Sequence, residues 1–374
     1  MKLAKITTYR YSLPLRRALT SASQEMTRHG FVIEVCDEAG HRAYGECSPL
    51  PGFSRESTQD VAEQLKQISF GIAGSSPPDN LEELSGQFEQ WLGKYSASAS
   101  VRFAVESAVL SLIASNRNVS LSRLLSDGAA STLPVNALLS GDRDTVVRTA
   151  EQHYRDGFTA FKLKVGGDDV REDIELAQQV RQIIGDDARL RLDANRKWDV
   201  NQVIDFWNAA HTLDIEYIEE PVADHAALVK EMTKVGLPSL VSIMLPPTAL
   251  DESIVDADPD NFFPPPGVKA IILKPTLLGL ECAMRWARKA LRTGLTPVVT
   301  SAYETSLGIS SLAHFAASLS ANPVPMGLAT LDVFERDLLQ PSVGIEHGTI
   351  HLDKLPDANS ALRRDVLELV SSHG

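Results

Sequence analysis

Residues 190–198 read LRLDANRKW, a short apolar strand carrying a polar side chain at every second position. Side chains alternate across a strand, so Leu190 and Leu192 point one way while Arg191, Asp193 and Asn195 share the other face. Packing alone does not favour an arginine, a carboxylate and an amide on one face of a core strand. An edge strand with a solvated polar face is the competing reading, and the flanking leucines and the strands on either side weigh against it. The polar face therefore reads as part of a site.

From about residue 134 the chain becomes a series of eight apolar runs: VNALLS, FKLKV, LRLDA, YIEEP, TALDE, AIILKP, TPVVTS and MGLAT. Amphipathic stretches at 169–184, 201–213, 281–293 and 307–319 lie between most of them, and alternating strands and helices imply a parallel sheet. Eight such units predict a closed α/β barrel. Upstream, KITTYRYSL, FVIEVCDEAG and HRAYGECSPL predict a small antiparallel meander, followed by helices over 58–70, 80–95 and 101–115. The tail contains GTIHL and a helical ANSALRRDVLELV, expected to return to the N-terminal module. The expected division is an α+β capping domain over 1–130, completed by 335–374, and a barrel over 131–334.

The 374 residues carry 36 basic and 49 acidic side chains, a net charge of −13, which argues against nucleic-acid and anionic-membrane partners because these select basic faces. MKLAKITTYRYSLPL has no apolar targeting core, and no run approaches the roughly 18 apolar residues of a membrane span. Cys36, Cys47 and Cys282 form no CxxC pair, so neither a disulfide framework nor a thiolate zinc site is indicated. A cytoplasmic location is expected. The sequence leaves assembly into a homo-oligomer open.

Barrel enzymes place their chemistry at the C-terminal strand ends. There the second run carries Lys162 and Lys164, the third Asp193, the fourth Glu219 and Glu220, the fifth Asp251 and Glu252, and the sixth Lys274. Inward carboxylates from adjacent strands repel one another, and a divalent cation is the simplest way to keep them ionised. All-oxygen donors suit magnesium; no histidine or cysteine set suits zinc. A lysine base needs its pKa lowered from about 10.4. A cation roughly 6 Å away at an effective dielectric near 20 costs roughly 2.8 kcal/mol, about two pKa units, so Lys162 is expected to make Lys164 a base near neutral pH.

In this order FKLKV, LRLDANRKW, YIEEP, LDES and LKP resemble the enolase superfamily, in particular its muconate lactonizing subgroup, over essentially the whole chain. The resemblance implies an α+β cap, built from both termini, over a modified (β/α)7β TIM-type barrel. It also implies Asp193, Glu219 and Asp251 as ligands of Mg2+, with Mn2+ able to substitute, and Lys164 and Lys274 on opposite faces of a small carboxylate substrate. Lysine bases acting with magnesium on an enediolate are a pattern of this superfamily.

Within the subgroup, Arg191, Asn195 and TSAYETSLG (300–308) resemble the o-succinylbenzoate synthase branch. That branch implies a magnesium-assisted syn dehydration on the route to menaquinone or phylloquinone, with Arg191, Asn195, Ser301 and Ser21 binding substrate. LTSASQEMTRHG (19–30) and LPGFSRES (50–57) resemble the two loops that close over it. Racemisation of N-succinylamino acids and muconate cycloisomerisation are the rivals within the class. A non-catalytic metal scaffold would have no reason to keep both Lys164 and Lys274. Residues 296–308 contain no aspartate, unlike the DxD of dipeptide epimerases. The chain departs from the pattern in a long Glu219–Asp251 interval, containing SLVSIMLPPTALDES, and in Gly279-Leu280 where Gly-Gly often follows the KP strand.

Overall fold

The computed structural model describes residues 1–19, 24–79, 84–234 and 245–374. The meander forms as β1 (Leu3–Pro14), β2 (Thr27–Asp37) and β3 (Arg42–Cys47). Between β2 and β3 the Asp37 carboxylate accepts from Ala39 N and His41 N, while Gly40 takes the left-handed φ of 90° that the turn requires. The sheet packs on helices Thr58–Ile72 and Ala99–Asn116. The second of these, ASVRFAVESAVLSLIASN, is apolar nearly all round, and it is buried between the cap sheet and the barrel helix Leu280–Arg292. Of the helix expected over 80–95, Gln87–Leu92 forms; residues 80–83 lie outside the described residues.

Where cap and barrel meet, Glu106 is fully buried and accepts from Arg102 Nε (3.2 Å) and Glu281 N (2.8 Å). Burial, partly offset by Arg102, pushes its carboxyl from an ordinary 4.5 up to about 7. The unfolded chain ionises this group near 4.5, so the stability contributed by the neutral form is complete below that pH and falls away as the pH rises through about 7. The fall amounts to roughly 3 kcal/mol. Melting temperature measured against pH is expected to show this loss in wild type, and a much flatter profile in Glu106→Gln.

After β4 (Thr132–Pro134), seven parallel strands pair in chain order: β5 (Ala137–Leu139), β6 (Ala160–Lys164), β7 (Arg189–Asp193), β8 (Ile215–Glu219), β9 (Thr248–Leu250), β10 (Val268–Leu273) and β11 (Thr296–Val299). The eighth run, MGLAT, closes the ring through isolated bridges. Gly327 N donates to Val299 O (2.9 Å) on one side, and Met326 N donates to Pro134 O (2.8 Å) on the other. The helices between strands fall at Val170–Ile184, Val200–Ala210, Leu280–Arg292 and Ser306–Ser318, within a residue or so of the stretches read from periodicity, apart from the C-terminal end of the second.

The tail differs from expectation. GTIHL forms β12 (Thr349–His351), which pairs with β4 rather than joining the cap. The helix expected over ANSALRRDVLELV stops at Ala361, and β13 (Leu367–His373) runs antiparallel along β1. The outer edge of β1 presents unpaired N–H and C=O groups, and a strand satisfies them as a helix cannot. That long-range demand overrides the local apolar spacing. The last strand therefore does complete the N-terminal sheet, in the order β13-β1-β2-β3.

Among the described residues no helix is long and apolar enough to cross a membrane, and the three cysteines are free.

Candidate active site

Strand register builds the site in two levels. Leu138, Lys162, Arg191 and Tyr217 stand opposite one another on β5 to β8; two residues further along, Lys164 faces Asp193 and Asp193 faces Glu219. Asp251 and Lys274 follow directly after β9 and β10. Asp193, Glu219 and Asp251 are all buried, as is Lys162.

Lys162 Nζ lies between two carboxylates, 2.8 Å from Asp193 Oδ2 and 2.7 Å from Glu219 Oε2. Lys164 Nζ donates to Asp193 Oδ2 and to Asn195 Oδ1, both at 2.7 Å. Lys274 Nζ meets Asp251 Oδ2 and sits 5.8 Å from the centre of the Phe53 ring. Burial works against the charge on Lys162, but Asp193 and Glu219 outweigh it and hold the ammonium well above its ordinary value. Lys274 is raised in the same way, by Asp251 and Glu219 against burial. Burial also opposes ionisation of Asp193, yet Lys162 and Lys164 hold that carboxyl far below the usual range. At Glu219 the balance reverses: burial and the Asp193 charge push it up to about 8.

The structure separates the paired acids. Glu220 accepts from Asp251 N (2.8 Å), Ser253 N (2.7 Å), Ser253 Oγ (2.9 Å) and Arg196 Nε (2.9 Å), so it shapes the turn while Glu219 faces the barrel axis. Glu252 Oε1 accepts from Asn195 Nδ2 (3.2 Å). Asn195, at a left-handed φ of 45°, thereby links Lys164 to Glu252.

Arg191 lies below this level. Its Nε donates to Glu216 Oε2 (2.6 Å) and its Nη1 to Asn136 Oδ1 (3.2 Å) and Pro325 O (2.6 Å), while the guanidinium covers the Tyr217 ring at 5.1 Å. These bonds tie β7 to β8 and to the first and last segments of the ring. Arg191→Lys keeps the charge but loses the planar fork; it is expected to lower stability by roughly 2–4 kcal/mol, read by denaturant titration. Ser301 Oγ pairs with Thr330 Oγ1 (2.9 Å) and accepts from Tyr303 N (2.8 Å). Ser21 lies outside the described residues.

The donors fit a hard divalent cation. Three carboxylates stand at the ends of adjacent strands, and buried Glu219 Oε2 has no hydrogen-bond partner, only the Lys162 ammonium nearby. Among the described residues no trio of His, Cys, Asp or Glu is gathered into a metal-binding cluster, and the ammonium groups of Lys162 and Lys274 lie on these carboxylates instead.

Sequence reasoning missed the supports around the mouth. Helix Ser306–Ser318 begins under Thr305, and its first amides are taken by two distant carboxylates: Glu46 of β3 accepts from Gly308 N (2.9 Å), and Asp337 of the tail accepts from Ser306 N (2.9 Å). A Cβ at Gly308 would come within 2.5 Å of Glu304 Cβ. Buried Arg28 binds this same loop from the cap. Arg28 and Tyr303 fall inside quoted stretches, but nothing local to either marks the contact.

A family model described as "Enolase C-terminal domain-like" matches residues 145–357, and one described as "MenC, N-terminal domain" matches residues 1–76. The chain is 31% identical to an o-succinylbenzoate synthase of Aliivibrio fischeri, over 90% of this chain and 93% of that one. It is 29% identical to Protein PHYLLO, chloroplastic, of Arabidopsis thaliana, over 90% of this chain but only 21% of that much longer protein. A dipeptide epimerase from Cytophaga hutchinsonii, solved with Mg and a dipeptide, superposes with a TM-score of 0.82 at 21% identity over the full length of both chains.

Proposed function

The chain belongs to the enolase superfamily, and from that premise we propose that it is an o-succinylbenzoate synthase, removing water from 2-succinyl-6-hydroxy-2,4-cyclohexadiene-1-carboxylate to give 2-succinylbenzoate. One observation carries the reading: the two lysines stand at the two ends of the row Asp193, Glu219, Asp251, with Lys164 on Asp193 and Lys274 on Asp251. The relatives named o-succinylbenzoate synthase, matched along nearly their whole length, support the choice of substrate.

Lys164 Nζ, as the free amine, takes the proton from the ring carbon that bears the carboxylate. The electrons of that C–H bond form the new ring double bond as the neighbouring C–O bond breaks. The Lys164 ammonium returns the proton to the departing oxygen, so one water leaves and the ring becomes aromatic. Because one lysine serves as base and then acid, both groups leave from the same face. Lys274 holds a fixed positive charge opposite, where negative charge grows on the carboxylate. Asp193, Glu219 and Asp251 would hold a divalent cation, which when bound would supply further positive charge toward that carboxylate. Asn195 orients the Lys164 amine, and Lys162 keeps Asp193 ionised.

Two lysines flanking one carbon are also what proton exchange at that carbon requires, so N-succinylamino acid racemisation is the second activity to assay. Expression in a bacterium lacking its own o-succinylbenzoate synthase tests the reading. The chain is expected to restore menaquinone-dependent growth, and failure of well-expressed protein to do so counts against it.

A further inference from the structure

Arg28, on β2, is only 2% exposed, and among the described residues its guanidinium makes no ion pair with a carboxylate. Among the described residues its hydrogen bonds all go to main-chain carbonyls. Nη1 donates to Pro49 (2.6 Å), Nη2 to Ser48 (2.6 Å) and Ala302 (3.2 Å), and Nε to Tyr303 (3.1 Å). Burying a guanidinium without a direct ion pair is costly, so the arrangement needs a compensating role. Only a planar five-donor fork reaches carbonyls on two separate loops at once.

Both loops lead to Lys274. Ser48 and Pro49 run into a tight turn in which Phe53 N and Ser54 N donate to Leu50 O (3.0 and 2.8 Å) and Leu50 N donates to Ser54 Oγ (2.8 Å). That turn aims the Phe53 ring at Lys274. The other loop starts at Thr300, whose N donates to Leu273 O (2.8 Å) beside Lys274. Within it Tyr303 adopts a φ of 61°, a conformation that bulky side chains avoid. Its N–H is held by Ser301 Oγ and its carbonyl by Arg28, so the strained residue is fixed at both ends.

We propose that Arg28 is a positioning residue, locking cap loop 48–57 against barrel loop 300–305 and so setting Phe53 over Lys274 and the shape of the substrate chamber. The kinetic half of its test rests on the dehydratase reading; the exchange half does not.

Full-length Arg28→Lys, with magnesium present, is compared with wild type. Amide hydrogen exchange is expected to quicken by about tenfold or more in residues 50–57 and 301–305 together, and to stay unchanged in β6 to β8. KM for the ring substrate is expected to rise about tenfold while kcat stays within about threefold. Protection retained in either loop, or a loss that falls on kcat with KM unchanged, overturns the proposal. Should Arg28→Lys not fold, Phe53→Ala tests the same chain of contacts from a surface turn: KM rises about fivefold at an unchanged melting temperature, and an unchanged KM is fatal. If wild type dehydrates nothing, the proposed function fails while the exchange measurement still decides the clamp.

Discussion

Lys164→Arg is expected to lose dehydration by on the order of 10³-fold or more, whereas Lys274→Arg keeps a measurable fraction of it. Arginine cannot be deprotonated in a protein, so at position 164 it keeps the charge and removes the base. At position 274 the side chain is asked only for positive charge toward the carboxylate, which arginine supplies if its longer stem fits beside Asp251 and Phe53. Alanine at either position is severely impairing, for different reasons: one loses the proton acceptor, the other the facing cation. Any racemisation of N-succinylamino acids vanishes in both arginine variants, because each lysine must then give or take a proton. Lys164→Arg turning over at a rate close to wild type, with Lys274→Arg inactive, would assign the base to Lys274.

Removing the metal is expected to have an effect as large. Excess chelator abolishes activity, and added magnesium restores it. Asp193→Asn keeps the shape of the ligand but deletes the charge that holds Lys162 and Lys164, so it weakens metal binding while the barrel remains folded. Equilibrium dialysis against magnesium and far-ultraviolet circular dichroism separate the two effects. Full activity in excess chelator would remove the cation from the account.

The barrel was legible because each of its units is local: a run of apolar residues, a helix with one apolar face, and a turn. The positions of the candidate site residues could be read for the same reason, since Lys164, Asp193 and Glu219 end their strands and Asp251 and Lys274 follow directly after theirs. The tail was not. LELVSSH is a strand only because β1 has an open edge, a fact held by residues more than 350 positions away. Arg191 illustrates a different limit: alternation put it on the face of Asp193, but only the register of β8 and the closure at Pro325 show that it is tied to Glu216 and Asn136. Arg28 and Glu46 could not be read at all, because the loop 300–305 and the helix start they support are set by the docking of cap on barrel.

The central claim is tested most directly by incubating the purified protein with magnesium and 2-succinyl-6-hydroxy-2,4-cyclohexadiene-1-carboxylate and following 2-succinylbenzoate by chromatography. The account predicts many turnovers, with one equivalent of product for each equivalent of substrate lost, and none from Lys164→Arg. Ring substrate left unchanged by a wild-type protein that strips the α-proton from an N-succinylamino acid in deuterated water would contradict it.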